Sequence, residues 1–135
     1  MANKKLLLYS IDEMKERLVR FYFSDGGYFG GYSSIYLIKN DTQIKYTYSH
    51  SLKRRKKEYV FAEEKWYEFI DKIFEKSVYK WKKRYYDNNI CDGEQWNLEM
   101  EFKGLPKFES FGSNEYPKNW DEFKTIIVEY FPLME

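Results

Sequence analysis

The sequence predicts an α+β fold: a largely antiparallel sheet of about five strands with two amphipathic helices packed on one of its faces. Three observations carry that expectation. Two runs alternate apolar and polar side chains, Ile44, Tyr46, Tyr48 and Trp96, Leu98, Met100, Phe102, and a half-buried strand reads that way. Two other runs repeat at helical spacing, Trp66, Phe69, Ile70, Ile73, Phe74 and Trp120, Phe123, Ile126, Ile127, Tyr130, Phe131. Turn signals at Asp25-Gly26-Gly27, Asn40-Asp41-Thr42, Asp92-Gly93 and Lys103-Gly104 separate the strand candidates.

At 135 residues the chain has the length of one domain, and residues 1–5 read as a short N-terminal tail. The 14 Tyr, 11 Phe and 4 Trp argue against disorder, because large side chains repay the entropy of ordering. Leu6-Leu7-Leu8-Tyr9 is too short an apolar run for a signal peptide or a membrane span, so the expected location is the cytoplasm, with no membrane contact.

Taken in order, Ser10 and Glu13 match a capping box for a short helix reaching about Arg17. A meander of three strands is expected over residues 18–49. Its first connection, residues 26–32, sets Tyr28, Phe29 and Tyr32 among four glycines, and reads as a wide, twisted hairpin with Tyr28 and Phe29 packed back on the sheet. The same loop is a candidate ligand or partner contact, since glycines allow close backbone approach. His50 falls just past the meander, as a loop histidine. Residues 53–57, Lys53, Arg54, Arg55, Lys56 and Lys57, repel one another and read as an exposed loop or frayed edge.

A helix is expected over residues 62–75, then a short helical or irregular piece carrying Lys80, Lys82, Lys83 and Arg84 around a core-anchoring Trp81. Asp87-Asn88-Asn89 breaks it. In the hairpin of residues 94–111, Asn97, Glu99 and Glu101 face away from the buried set, and with Glu94 they form a candidate acidic face. Gly112 offers a positive-φ bend, Asn119 with Glu122 a second capping box, and Pro132 a helix stop. A shift of 54 residues lays the first strand-and-helix pattern on the second, an echo that shared amphipathicity accounts for.

The near-neutral total of +1 hides an asymmetry. Residues 45–84 hold 13 basic and 6 acidic side chains, and residues 85–135 hold 4 basic and 11 acidic. Catalytic signals are poor. One histidine and one cysteine, His50 and Cys91, build neither an ordinary zinc site nor an evident nucleophile-base pair. Asp87 with Asp92, or Asp92 with Glu94, comes nearest to an acid/base pair, and Asp92-Gly93 is better explained as a turn. No catalytic residue, metal or cofactor is expected.

The leading expectation is therefore a non-enzymatic intracellular domain that docks on a charged protein surface, steered by its own charge split. The alternative is an RNA- or DNA-binding module, in which the cations of residues 45–84 meet phosphates and the interleaved aromatics stack on bases.

One stretch carries a resemblance. W-x-x-x-Y at Trp81 and Tyr85, D-G-x-x-W-x-L from Asp92 to Leu98, and G-S-N-x-Y-P-x-N-W-x-x-F from Gly112 to Phe123 follow one another in fixed order. The pattern resembles small bacterial proteins of AT-rich Firmicutes and their mobile elements, a set without an assigned activity. It covers the C-terminal third and brings no catalytic residue with it. It implies a mobile-element accessory protein, an inhibitor of a defence enzyme or an immunity factor.

Overall fold

The computed structural model describes residues 2–27, 29–53, 55–86 and 93–135. Tyr28, Arg54, Asp87, Cys91 and Asp92, with the break at Asn88 and Asn89, lie outside the described residues. The chain is α+β, with α1 at Ala2–Leu6, α2 at Ile11–Arg17, β1 at Leu18–Gly27, β2 at Gly31–Lys39, β3 at Ile44–His50 and β4 at Arg55–Phe61. Then follow α3 at Glu63–Glu75, a 3-10 turn at Val78–Lys80, β5 at Arg84–Tyr86, β6 at Glu94–Phe102 and β7 at Phe108–Ser113. α4 at Trp120–Tyr130 and a 3-10 turn at Pro132–Met134 complete it.

Among the described residues the sheet has seven strands, in the order β4-β3-β2-β1-β6-β7-β5. All neighbours are antiparallel except β5 and β7. Two strands exceed the expected five. β4 forms where a charged loop was expected, because strand geometry sends neighbouring side chains to opposite faces and so separates the cations. Its far end, Tyr59 and Phe61, pairs with Tyr46 and Ile44. β5 is three residues long, too short to show a period.

One face of the sheet carries the core. Phe21, Phe23, Ile35, Leu37, Leu98 and Met100 have no exposed surface, and α3 and α4 cover them with Trp66, Phe69, Ile73, Phe123 and Ile127. The contacts are largely aromatic: Phe21 meets Phe69 edge to face at 5.0 Å between ring centres, and Phe23 meets Phe123 in the same way at 5.0 Å. Such pairs add about 1 kcal/mol each beyond the area that they bury. Trp81 is the expected anchor, buried against Phe123 at 5.0 Å.

Several local expectations change. Ser10 does cap α2, accepting from the Glu13 N–H at 3.1 Å, but the Glu13 carboxylate turns to Arg17. Asn119 sits at the N-cap of α4 without capping it. Its Oδ1 accepts from Trp81 Nε1 at 2.9 Å and its Nδ2 donates to the Lys76 carbonyl at 2.7 Å, so it ties the end of α3 to the start of α4. The positive φ after β7 belongs to Asn114, not Gly112. Of residues 1–5, expected as tail, residues 2–5 belong to α1 at Ala2–Leu6. Leu6 has no exposed surface, and Asn3 bonds to the backbone of Trp81 and Glu109.

Trp66 is buried with its Nε1–H unpartnered among the described atoms. A buried donor without an acceptor gives up its hydration for nothing. Trp66→Phe is therefore expected to change stability by less than about 1.5 kcal/mol despite the lost ring. Trp81→Phe leaves Asn119 Oδ1 unpaired and is expected to cost more. Urea melts of the two variants check the order.

Candidate interaction surface

Among the described residues no helix covers the second face of the sheet, and the sheet brings the charged segments into a single geometry. β4 forms one edge and β5 the other, separated by five strands. At roughly 4.8 Å per strand the edges lie about 29 Å apart. The two basic segments singled out from the sequence are thus not one surface. Each guards an edge, where cations discourage another strand from pairing with the unmatched backbone.

At the first edge the strand period divides the run. Lys56 pairs in register with Ser49 and stands on the open face, whereas Lys57 pairs with Tyr48 on the helix side. Lys57 Nζ lies 5.4 Å from the centre of the Tyr59 ring, and Lys53 is exposed in the preceding turn. Arg55 contributes the first residue of β4. At the second edge, Lys80 and Lys82 lie over Tyr79 and Tyr85, both at 5.7 Å, and Arg84 over Phe111 at 5.6 Å. Lys83 pairs with Glu109 at 3.7 Å.

The acidic row stands on the open face, as its alternation predicts, but its charge is matched locally. Lys107 reaches Glu99 at 2.9 Å, Glu109 at 3.5 Å and Glu101 at 3.8 Å, and Arg20 meets Glu101 at 3.5 Å. The bond to Glu99, above all, holds the Lys107 ammonium above its ordinary range. Glu94 accepts from the Tyr116 hydroxyl at 2.9 Å. Burial first, and then that bond, push the Tyr116 hydroxyl up to about 12. Little of the acidic row is left over for a partner.

The glycine connection is tight rather than wide, since Gly27 pairs with Gly31. Gly26 and Gly31 take φ of +155° and +75°, and a Cβ on Gly26 would lie 2.1 Å from the Gly31 carbonyl oxygen. Phe29 is 83% exposed instead of packing back on the sheet. Tyr32 turns to the open face, its hydroxyl 3.5 Å from Gln95 Oε1. His50 is the last residue of β3, not a loop residue. Its Nδ1 accepts from the N–H groups of Leu52 and Lys53 at 3.3 and 3.4 Å and so shapes the turn into β4.

Sequence alternation alone did not single out what lies between the edges. Tyr22 and Tyr36 stand side by side at 6.1 Å, and Arg20 donates to the Tyr36 hydroxyl at 2.9 Å. Beside them a shallow concavity of about 410 Å³ is lined by Tyr22, Ser24, Tyr32 and Ser34 from β1 and β2, and by Ser49, His50, Ser51 and Lys56 from the β3-β4 hairpin. Ser34 Oγ and Ser49 Oγ are 2.6 Å apart. Three other concavities carry carboxylates: one of about 600 Å³ with Glu13, Glu16 and Asp41, one of about 530 Å³ with Asp41 and Glu63, and one of about 400 Å³ with Glu75, Glu122 and Glu129. The expected signal for the serine cluster was the polar half of each strand's alternation, which says nothing until register places the strands side by side.

No protein-family model, curated protein or solved structure matches the chain. Among the described residues no helix is long and apolar enough to cross a membrane.

Proposed function

We propose that the chain is a non-enzymatic intracellular interaction domain that docks on a charged protein partner, taking an acidic extended segment of that partner along β4. The observation that carries this reading is that β4, among the described strands, pairs on one side only and bears its cations beside that bare edge. Main-chain bonds to an added strand supply affinity, and alternate side chains supply selectivity. Lys56 and Lys57 on its two faces repel a second copy of the same strand and attract a strand that bears carboxylates. Val60, 66% exposed, adds an apolar contact on the open face. An inhibitor or immunity protein of a bacterial mobile element, acting in the cytoplasm by occupying a partner's surface, fits the resemblance of residues 81–123 and needs no catalytic group.

The test is a titration of the isotope-labelled protein with a peptide of alternating Glu and Val, followed by amide shifts. The expected result is perturbation along residues 55–61 that weakens with salt, and a loss of about tenfold or more in affinity in the double variant Lys56→Glu, Lys57→Glu. The matching Lys/Val peptide is expected not to bind. Shifts elsewhere, together with tight, salt-sensitive binding of RNA or DNA, would replace this reading with the nucleic-acid alternative.

A further inference from the structure

We infer that the concavity on the open face is a binding site for a phosphate group. The inference goes beyond strand docking at β4 and stands without it. Its first support is the chemistry of the lining. Ser24, Ser34, Ser49 and Ser51 line one hollow with Tyr22 and Tyr32, the Tyr32 hydroxyl being turned to Gln95, and Lys56 adds a positive charge. Among the described residues no aspartate or glutamate lines it, although 22 of the 135 residues are acidic and the concavities of about 600, 530 and 400 Å³ each contain two or more. A hollow that gathers donors and a cation while excluding carboxylates is suited to an anion.

The hydrogen bonds already present leave donors to spare. Ser34 Oγ and Ser49 Oγ, at 2.6 Å, share a single hydrogen, so the other hydroxyl hydrogen of the pair can turn towards a ligand. Ser51 Oγ accepts from the Tyr32 N–H at 2.8 Å, which leaves its own hydrogen to donate. His50 accepts through Nδ1, so a neutral ring carries its proton on Nε2. Lys56 makes no ion pair among the described residues, whereas the next open-face residue on β4, Glu58, is drawn to Lys45 at 3.3 Å. Among the described residues the cation and the serines therefore line the hollow without a carboxylate beside them.

The hollow is open and borders the Tyr22–Tyr36 pair. The same phosphate chemistry can come from a terminal phosphomonoester or from the phosphodiester of a single strand, whose base would reach the tyrosines.

Three probes separate these sources: inorganic phosphate, uridine 5′-monophosphate and a short oligouridylate, each followed by amide shifts. The expected result is a saturable shift of residues 32–34, 49–51 and 56 with phosphate. Lys56→Gln, and separately Ser34→Ala with Ser49→Ala, are expected to weaken it by about tenfold. Lys57→Glu, which acts on the helix side of the same strand, is expected to leave phosphate binding within about twofold while weakening the acidic peptide. Failure of one site is thus distinguishable from failure of the other. Oligouridylate binding tighter than the monophosphate and sensitive to Tyr22→Ala assigns the phosphodiester; equal binding of monophosphate and phosphate assigns the terminal group. Unmoved amides in the hollow with all three probes overturn the proposal, as does phosphate binding that Lys56→Gln leaves unchanged in a variant that melts like the parent.

Discussion

Gly112→Ala is expected to destabilise the chain by about 3 kcal/mol, because the added methyl group has nowhere to go. A Cβ there would lie 2.2 Å from Trp96 Nε1, 2.5 Å from Trp96 Cε2 and 2.6 Å from the Glu115 carbonyl oxygen. Trp96 cannot swing away. It is 1% exposed, stacks at a tilt on Trp120 at 4.8 Å, and meets Trp81 and Tyr85 at 5.7 Å each. Its N–H donates to the same Glu115 carbonyl at 3.0 Å, so relief in either direction breaks a part-buried hydrogen bond. Gly30→Ala is the control, since a Cβ there meets nothing within 4 Å. Urea denaturation of the pair, with slopes compared to exclude a change in the unfolded state, measures the difference. Equal midpoints for the two variants would show that the Trp96 packing is soft.

The second large effect is expected at the N-terminus. Asn3→Ala removes three hydrogen bonds at once: Nδ2 to the Glu109 carbonyl at 2.7 Å, Nδ2 to the Trp81 carbonyl at 3.3 Å, and the Glu109 N–H to Oδ1 at 3.1 Å. The amide reproduces the donor-acceptor pair of a neighbouring strand at Glu109, just before β5 begins to pair at Phe111. With Asn3 8% exposed, the backbone groups left behind gain little water, and the expected loss is about 2–4 kcal/mol. Hydrogen exchange gives the specific readout: the Glu109 amide is expected to lose protection more than the amides of β1. If global stability falls by less than about 0.5 kcal/mol, Asn3 is a surface contact only.

How much of this was legible before the fold was known depends on the range of each signal. The stripe from Trp66 to Phe74 predicts α3, and all five of its apolar residues are buried. The alternation from Trp96 to Phe102 predicts β6 in the same way. Both signals are local and periodic. β4 is hidden in the sequence because adjacent cations repel wherever they share a surface, and only pairing with β3 shows that Lys56 and Lys57 stand on opposite faces. Five residues cannot nucleate a stable helix alone, so α1 depends on the burial of Leu6 and on Asn3 finding Glu109, 106 residues away. Asn119 looked like a cap because Asn caps helices; its tie to Trp81 and Lys76 appears only when α3 and α4 are packed together. The open-face hollow was illegible for the same reason. Its serines come from separate strands and have no spacing in common, and the register of Ser24 with Ser34 and of Ser34 with Ser49 brings them together.

The place of β1 has a consequence for synthesis. It lies between β2 and β6 and is among the first strands made, while its partner on one side is among the last. Pairing with β2 closes within a few residues, from Gly27 to Gly31, whereas Leu18 meets Phe102 and Gly27 meets Glu94. As the chain emerges, β1 to β4 can assemble as a four-stranded meander with β1 as its unpaired margin. That margin stays bare until β6 has left the ribosome, and such long-range pairing is slow to form. It also carries Phe21 and Phe23, apolar side chains destined for the helix side, with Arg20 alone where β4 has Arg55, Lys56 and Lys57. The period of greatest aggregation risk therefore falls between the synthesis of β4 and that of β6, at a strand that the folded sheet hides in its centre.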